Sequence, residues 1–268
     1  MILSTHGIVN SGGGILYDTD AQAFMTAAAI TDTTQKTAIN TLVTDLKTAN
    51  IWTKMKALYP FVGGTAAQHR FNLKSPGTTN ADFYLDFIGG GTHSANGYLP
   101  NGTTAYANTF FNPTTGYSVN NSAHISYYSR TNLSVGINNE IGCFGTNNLV
   151  ITTRRSDQSN NTFLFANTVS GGISFVDSDS LGLYVANRIS NQANGFKNGV
   201  SKGSNTVADN ARNNLSIVIG ANNTTINITQ YSTKQCAFAS IGDGLTDTDA
   251  SNFYTAVQAY QTTLNRQV

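Results

Sequence analysis

Cleaving a glycosidic or ester bond by acid–base chemistry needs converging carboxylates, one to give a proton and one to attack or accept it. This chain of 268 residues has a single glutamate, Glu140. Aspartate can replace glutamate, but the aspartates are scattered, and most lie among Asn, Ser, Thr and Gly, the composition of turns. Asp177-Ser-Asp179 is the nearest acidic pair in the middle of the chain. A turn is the favoured reading, because nothing nearby completes an oxygen cage for a metal. Asp243-Gly-Leu-Thr-Asp247-Thr-Asp249 lacks the glycine and terminal glutamate of a calcium loop, and helix capping explains it better. His6, His69, His93 and His124 are far apart in sequence, with no paired spacing. Ser11-Gly-Gly-Gly14 carries no lysine and opens no phosphate-binding helix. These features lead us to expect no catalytic residue, no metal ligand and no cofactor, and they name no ligand-binding residue.

The bulk composition agrees. Charged residues make up 11% of the chain, well below the average of about 25%. Asn, Thr, Ser and Gly supply the polarity, giving a neutral, hydrogen-bonding surface suited to binding or assembly. A net charge of +1, with Arg154-Arg155 as the one adjacent basic pair, gives no electrostatic case for nucleic acid or an anionic membrane. That pair reads as a solvated strand end. No run approaches the roughly 18 apolar residues of a membrane span, so membrane insertion is not expected. The N-terminus lacks the basic and apolar regions of a signal peptide. Cys143 and Cys236 have no metal-ligand spacing; a disulfide is one reading, and two buried thiols in a reducing cytosol the simpler one.

Periodicity divides the chain. Residues 1–18 read as an extended arm, with a short strand near Ile15–Tyr17. Residues 19–60 read as a helical lead-in. Ala21, Phe24, Met25 and Ala28 recur at helical spacing, as do Ile39, Leu42, Val43 and Leu46 after the cap pattern Asp32-Thr-Thr-Gln35. A third helix is predicted over Ile51–Leu58, stopped by Pro60, with Trp52 as a core anchor rather than a sugar platform. Residues 61–268 read as an antiparallel β-sandwich closed by a helix over 246–265, capped at Thr246 with the stripe Phe253, Val257, Tyr260 and Leu264. Predicted strands include 83–88, 124–129, 148–152, 162–166, 181–186, 215–219 and 225–229. Asn101-Gly102, Asn194-Gly195 and Asn198-Gly199 are predicted turns. No βαβ alternation supports a doubly wound sheet.

Ser180-Leu-Gly-Leu-Tyr-Val-Ala-Asn-Arg188, Asn194-Gly-Phe-Lys-Asn-Gly-Val200, Leu215-Ser-Ile-Val-Ile-Gly-Ala221 and the segment 228–254 resemble, in this order, a concanavalin A-like lectin/glucanase or laminin G-type sandwich. That resemblance covers roughly 60–268 and implies a jelly-roll fold. Segments 18–24, 51–64, 71–74, 129–132 and 241–268 resemble bacteriophage structural proteins, tail or head fibres and spikes, in which helices precede a lectin-like sandwich. This second resemblance implies a virion component made in the cytoplasm of a bacterial host. The glucanase motif Glu-x-Asp-x-x-Glu is missing around Glu140, so the hydrolytic activity of that fold is not implied.

Three functions compete. The first is a non-enzymatic virion surface protein that binds carbohydrate or recognises a host, with Tyr98, Tyr106, Tyr117, Tyr127 and Tyr128 as candidate sugar contacts that are more often core residues. The second is a structural decoration or joint, docked on other virion proteins through the arm and helices and assembled as a homotrimer. The third is a polysaccharide depolymerase using Asp pairs.

Overall fold

The computed structural model describes residues 8–9, 15–208 and 211–268. The remainder of the arm, including His6, lies outside the described residues. In chain order the first elements are β1 (Ile8–Val9), β2 (Ile15–Leu16), α1 (Thr19–Ala27), α2 (Thr33–Thr48) and β3 (Met55–Tyr59). Then come α3 (Ala66–His69), β4 (Asp86–Ile88), β5 (Thr92–Ser94), β6 (Gly97–Leu99), β7 (Tyr106–Asn108) and α4 (Pro113–Gly116). The next strands are β8 (Ser122–Ser129), β9 (Ile141–Phe144), β10 (Asn148–Arg155), β11 (Asn161–Thr168) and β12 (Ile173–Val176). They are followed by β13 (Gly182–Ile189), β14 (Gln192–Lys197), β15 (Val200–Thr206), β16 (Val218–Ile219), β17 (Asn222–Thr224) and β18 (Ile228–Thr229). The chain closes with β19 (Cys236–Gly242) and α5 (Asp247–Thr263).

Two sheets form a sandwich, with β1 and β2 paired separately. A nine-stranded sheet runs β12-β11-β10-β9-β16-β7-β4, with β17 on β9 and β18 on β17. An eight-stranded sheet runs β15-β14-β13-β8-β19-β6-β5, with β3 also on β19. Pairing is antiparallel except between β17 and β9. Strand side chains alternate between faces, and the alternation builds two separate cores. Between the sheets lie Ile125, Tyr127, Ile141, Cys143, Leu149 and Ile151, with further residues of the same strands. On the other side of the eight-stranded sheet, Tyr128, Leu183, Val185 and Phe238 pack against Phe24, Leu42, Val43, Phe253 and Val257 of the helices. The molecule is therefore layered as helices, sheet, sheet. The helices cover the outer face of one sheet, while the outer face of the other is open where β9, β10 and β11 lie.

Helices α2 and α5 form for the reasons their sequences predict. The Asp32 carboxylate accepts the Gln35 N–H at 2.8 Å, and Ile39, Leu42, Val43 and Leu46 are fully buried. At α5 the Thr246 hydroxyl accepts the Asp249 N–H at 3.1 Å, and Asp249 accepts the Thr246 N–H at 2.8 Å. This reciprocal cap satisfies two orphan donors, and it is what the acidic stretch 243–249 does. Lys54 completes it with an ion pair to Asp249.

Two local expectations fail. The helix over Ile51–Leu58 is a 3-10 turn at Trp52–Lys54 followed by β3. Ala57 and Tyr59 point between the sheets and Leu58 toward the helices, so pairing with β19 overrides the helical spacing. The predicted turn at Asn194-Gly195 lies inside β14. A Cβ on Gly195 would sit 2.8 Å from Leu164 Cδ1 and 2.9 Å from Ile173 Cβ. The glycine is there because the opposite sheet comes so close. The true turn joining β14 to β15 is at Asn198 and Gly199, with φ of 52° and 72°, the double left-handed geometry of a tight hairpin. The strands expected at 215–219 and 225–229 shorten to β16 and β18.

Candidate ligand-binding site

The open face is built from three adjacent strands. Leu149 and Ile151 of β10, with Leu164 and Ala166 of β11, point into the sandwich, so Val150, Thr152, Phe163 and Phe165 must point out. The register sets Val150 opposite Phe165 and Thr152 opposite Phe163. On β10's other side, Val150 faces Gly142 of β9, where a Cβ would lie 2.8 Å from Val150 Cα. The next residues, Cys143 and Phe144, again divide inward and outward, and Phe144 is 48% exposed. Phe144, Phe163 and Phe165, with Val150 and the exposed Ile137, give one hollow of about 340 Å³ an aromatic and aliphatic wall. A second hollow, of about 450 Å³, adjoins it and shares Phe144, Asn222 and Gln230. Its far side is the β17–β18 turn, where Ile226 is 90% exposed.

A chain of uncharged polar groups crosses the floor. The Thr152 hydroxyl donates to Asn139 Oδ1, and Asn139 Nδ2 donates to Gln230 Oε1. Asn222 Nδ2 donates to the same Gln230 oxygen at 3.1 Å. The Asn139 N–H also donates to the Gln230 carbonyl at 2.8 Å. Gln230 takes a left-handed backbone, φ 55°, uncommon for a residue with a side chain. Among the residues lining the two hollows, Arg155 is the one with a charge. Asp157 pairs with it at 2.5 Å, and its guanidinium lies 5.5 Å from the Phe163 ring centre. This surface suits a ligand with apolar ring faces and hydroxyl or amide groups. It contains no acid–base pair.

Elsewhere the ionisable groups are committed to the structure. Glu140 is fully buried against Lys234, Oε1 to Nζ 2.9 Å. Its second oxygen accepts the Thr153 N–H at 2.7 Å, and Lys234 also donates to the Thr153 carbonyl at 2.7 Å. Burial raises the Glu140 carboxyl above its ordinary range, against the lowering pull of Lys234. Asp177 and Asp179 share one cation: Lys197 Nζ lies 2.5 Å from the first and 2.9 Å from the second. Asp177 also accepts the hydroxyls of Tyr184 at 2.8 Å and Thr162 at 3.0 Å. The turn reading of this pair was therefore incomplete, because the carboxylates anchor a lysine on β14.

The sequence candidates sort as follows. Tyr98, Tyr117, Tyr127 and Tyr128 are buried, and Tyr106 packs on Tyr231 at 6.4 Å; none lines the open face. Trp52 is 8% exposed, under the ammonium of Lys74 at 4.2 Å. Cys143 and Cys236 are buried free thiols. Arg154 and Arg155 do lie at a strand end. The fold brings together two histidines that are far apart in sequence, His69 and His93, with Nδ1 atoms 2.9 Å apart. His69 Nε2 accepts the Gly64 N–H at 3.2 Å, so its proton sits on Nδ1 and is donated to His93. Burial and the neighbouring charges of His93 and Arg266 push His69 down to about 3. No cluster of potential metal ligands occurs among the described residues, and none of their helices is long and apolar enough to cross a membrane. Sequence reasoning missed the actual wall residues; the alternation Thr162-Phe-Leu-Phe-Ala166 was their signal, and it was read only as a strand.

No protein-family model matches the chain, and no curated protein is significantly similar to it in sequence. Solved structures are similar in fold. A Trypanosoma rangeli sialidase mutant displaying trans-sialidase activity aligns with a TM-score of 0.55 at 11% identity, over 83% of this chain and 39% of that one. The binding domain of botulinum neurotoxin serotype D aligns at 0.47 and 14% identity, over 77% of this chain and 52% of that one. A heptameric SAP-like pentraxin from Limulus polyphemus aligns at 0.36 and 12% identity, over 52% and 70%. This chain spans about two-fifths of the length of that sialidase. At such identity the likeness establishes architecture alone: a mainly β, antiparallel, lectin-like jelly-roll sandwich with helices at both ends.

Proposed function

We propose that this chain is a non-enzymatic binding module that takes an uncharged carbohydrate on the open face of its nine-stranded sheet. One observation carries the reading. Three phenylalanines project outward beside a hydrogen-bonded row of Thr152, Asn139, Gln230 and Asn222, and the single lining charge is already paired. Sugar rings offer apolar faces and hydroxyl edges, and sites that bind small molecules combine apolar walls with a few placed polar groups. The pairing of Glu140 with Lys234, and of Asp177 and Asp179 with Lys197, supports the non-enzymatic part and speaks against a depolymerase using Asp pairs. The setting we propose is the surface of a bacteriophage virion, assembled in the bacterial cytoplasm. It rests on the likeness of 18–24, 51–64 and 241–268 to phage fibre proteins, and the glycan would then belong to the host surface.

A glycan array probed with the wild-type protein and with Phe163→Ala tests the site. Selective binding to uncharged glycans, weakened about tenfold or more in the variant at unchanged melting temperature, is the expected result. Binding that ignores the substitution removes the open face as the site. Release of reducing ends from a polysaccharide would restore the enzyme reading.

One observation favours a structural role instead. All seven residues of the edge strand β15 are exposed, and its Val200, 60% exposed, lines one hollow with Val176 of β12, 73% exposed. Such edges pair with other chains unless guarded, and a homotrimer would cover this one. Sedimentation of wild type and Val176→Lys/Val200→Lys distinguishes the cases: a stable oligomer lost in the double variant supports the joint, a monomer throughout dismisses it.

A further inference from the structure

The two adjoining hollows are not equivalent, and what separates them is specific. Phe144, Asn222 and Gln230 line both. Their volumes, about 340 and 450 Å³, each fall within the range of small-molecule sites, roughly 300–1,000 Å³. The first is walled by Phe163 and Phe165, the second by Phe144 and Ile226. A lone exposed isoleucine is unremarkable, but Ile226 stands on a tight turn facing a phenylalanine across a hollow, and so provides an apolar wall for something placed there.

Gln230 sits at the junction with its orientation fixed. Two amide donors, Asn139 Nδ2 and Asn222 Nδ2, converge on its Oε1. A carbonyl oxygen accepts and an amide nitrogen cannot, so the donor pair decides which end of the Gln230 amide is which. Its Nε2 then has no partner among the described residues, although the side chain is held. Asn222 is 2% exposed and its Oδ1 is likewise unpartnered. A buried amide oxygen without a donor is costly. The junction therefore offers one unused donor, Gln230 Nε2, between two apolar-walled hollows, next to the buried, unpartnered Asn222 Oδ1. The left-handed backbone at Gln230 marks the same point, and strain of this kind collects at ligand sites.

We infer that the open face holds two sugar subsites joined at Gln230, so that its occupant is an uncharged oligosaccharide of at least two units rather than a single terminal sugar. Gln230 Nε2 donates to an oxygen at the linkage between the units. Phe163 and Phe165 take one ring and Ile226 with Phe144 takes the next. Arg155, already paired with Asp157, gives an acidic sugar no unmatched cation. This inference rests on the carbohydrate reading of the open face.

Isothermal titration with four size-graded series tests it: the monosaccharide to hexasaccharide fragments of cellulose, starch, chitin and mannan, against wild type, Ile226→Ser, Gln230→Glu and Phe163→Ala. In at least one series, affinity should rise at least tenfold from monomer to trimer. Ile226→Ser should cancel most of that rise. Gln230→Glu keeps an acceptor oxygen for Asn139 and Asn222 and removes the donor, and should weaken the oligomers about five- to tenfold, the size of one lost hydrogen bond. Equal affinity for monomer and hexamer, indifference to Ile226→Ser, or no binding in any series overturns the two-subsite inference. Glycan-array binding that still depends on Phe163 would then leave the carbohydrate reading standing, whereas indifference to Phe163→Ala in both assays ends that reading as well.

Discussion

The two sheets of this sandwich each have an outward face, and the two faces have opposite fates. On the eight-stranded sheet, Leu183, Val185 and Phe238 lie under α1, α2 and α5, and Phe253 and Val257 meet them with no exposed surface. On the nine-stranded sheet, Phe163, Phe165 and Phe144 line a surface hollow and are left partly exposed, with amides between them. The strand alternation that produces both faces is the same. The difference is that the apolar residues of one face have a helical partner, while those of the other are set among polar groups fixed by hydrogen bonds, the surface on which we propose that a ligand binds.

Substitutions should separate the two faces by their effect on stability. Between the sheets, Glu140→Gln leaves the Lys234 ammonium buried without its counter-charge, and breaking a buried pair of this kind costs about 3–5 kcal/mol. Denaturant unfolding should show this as the largest loss in the molecule. On the covered face, Leu42→Ala removes a fully buried side chain from the helix layer and should cost about 2–5 kcal/mol, read as a lower midpoint in urea. On the open face, Phe163→Ala should change the unfolding free energy by less than about 1 kcal/mol while weakening ligand binding about tenfold or more. A loss as large as that of Leu42→Ala would mean the aromatic face is a core with a missing cover.

Acid should act on the buried side alone. His124 lies beneath α5, with Nδ1 2.6 Å from the Asp243 carbonyl and Nε2 3.0 Å from the Ser240 hydroxyl. Burial pushes it down to about 4, and His69 to about 3. Both are therefore neutral in the fold and charge more readily when unfolded, so the unfolded chain binds more protons as pH falls. Stability is full above the ordinary histidine range near about 6.5 and declines as pH drops from there toward 4 and then 3. Thermal melts between pH 7 and pH 4 should trace this decline. Ligand binding by the folded protein should stay level over most of this window, since the Arg155–Asp157 pair keeps the Asp157 carboxyl below its usual range, chiefly through the hydrogen bond to Arg155.

Much of the architecture could be read from residue patterns. The stripe of α2, the cap and stripe of α5, the alternating strands and the two lone thiols all appear where local spacing places them. The proposed binding face could not be read in this way. Phe163 and Phe165 alternate like any strand residues, and four of the five tyrosines that stood out in polar segments, Tyr98, Tyr117, Tyr127 and Tyr128, are core. The segment 51–58 has helical spacing, yet its residues are buried on both sides of a sheet.

The sequence by itself determined what is local: which stretches turn, cap or alternate, and that the polarity comes mostly from uncharged residues. Those properties depend on neighbours within a few residues, where backbone geometry sets the spacing. The tertiary structure decided which face of which sheet the helices would cover, and it brought together partners such as Glu140 with Lys234, or the Tyr260 hydroxyl with the Pro60 carbonyl 200 residues away. Coverage is a contest among distant surfaces for the same apolar area, and its outcome is settled by the whole packed chain, so no single segment carries it.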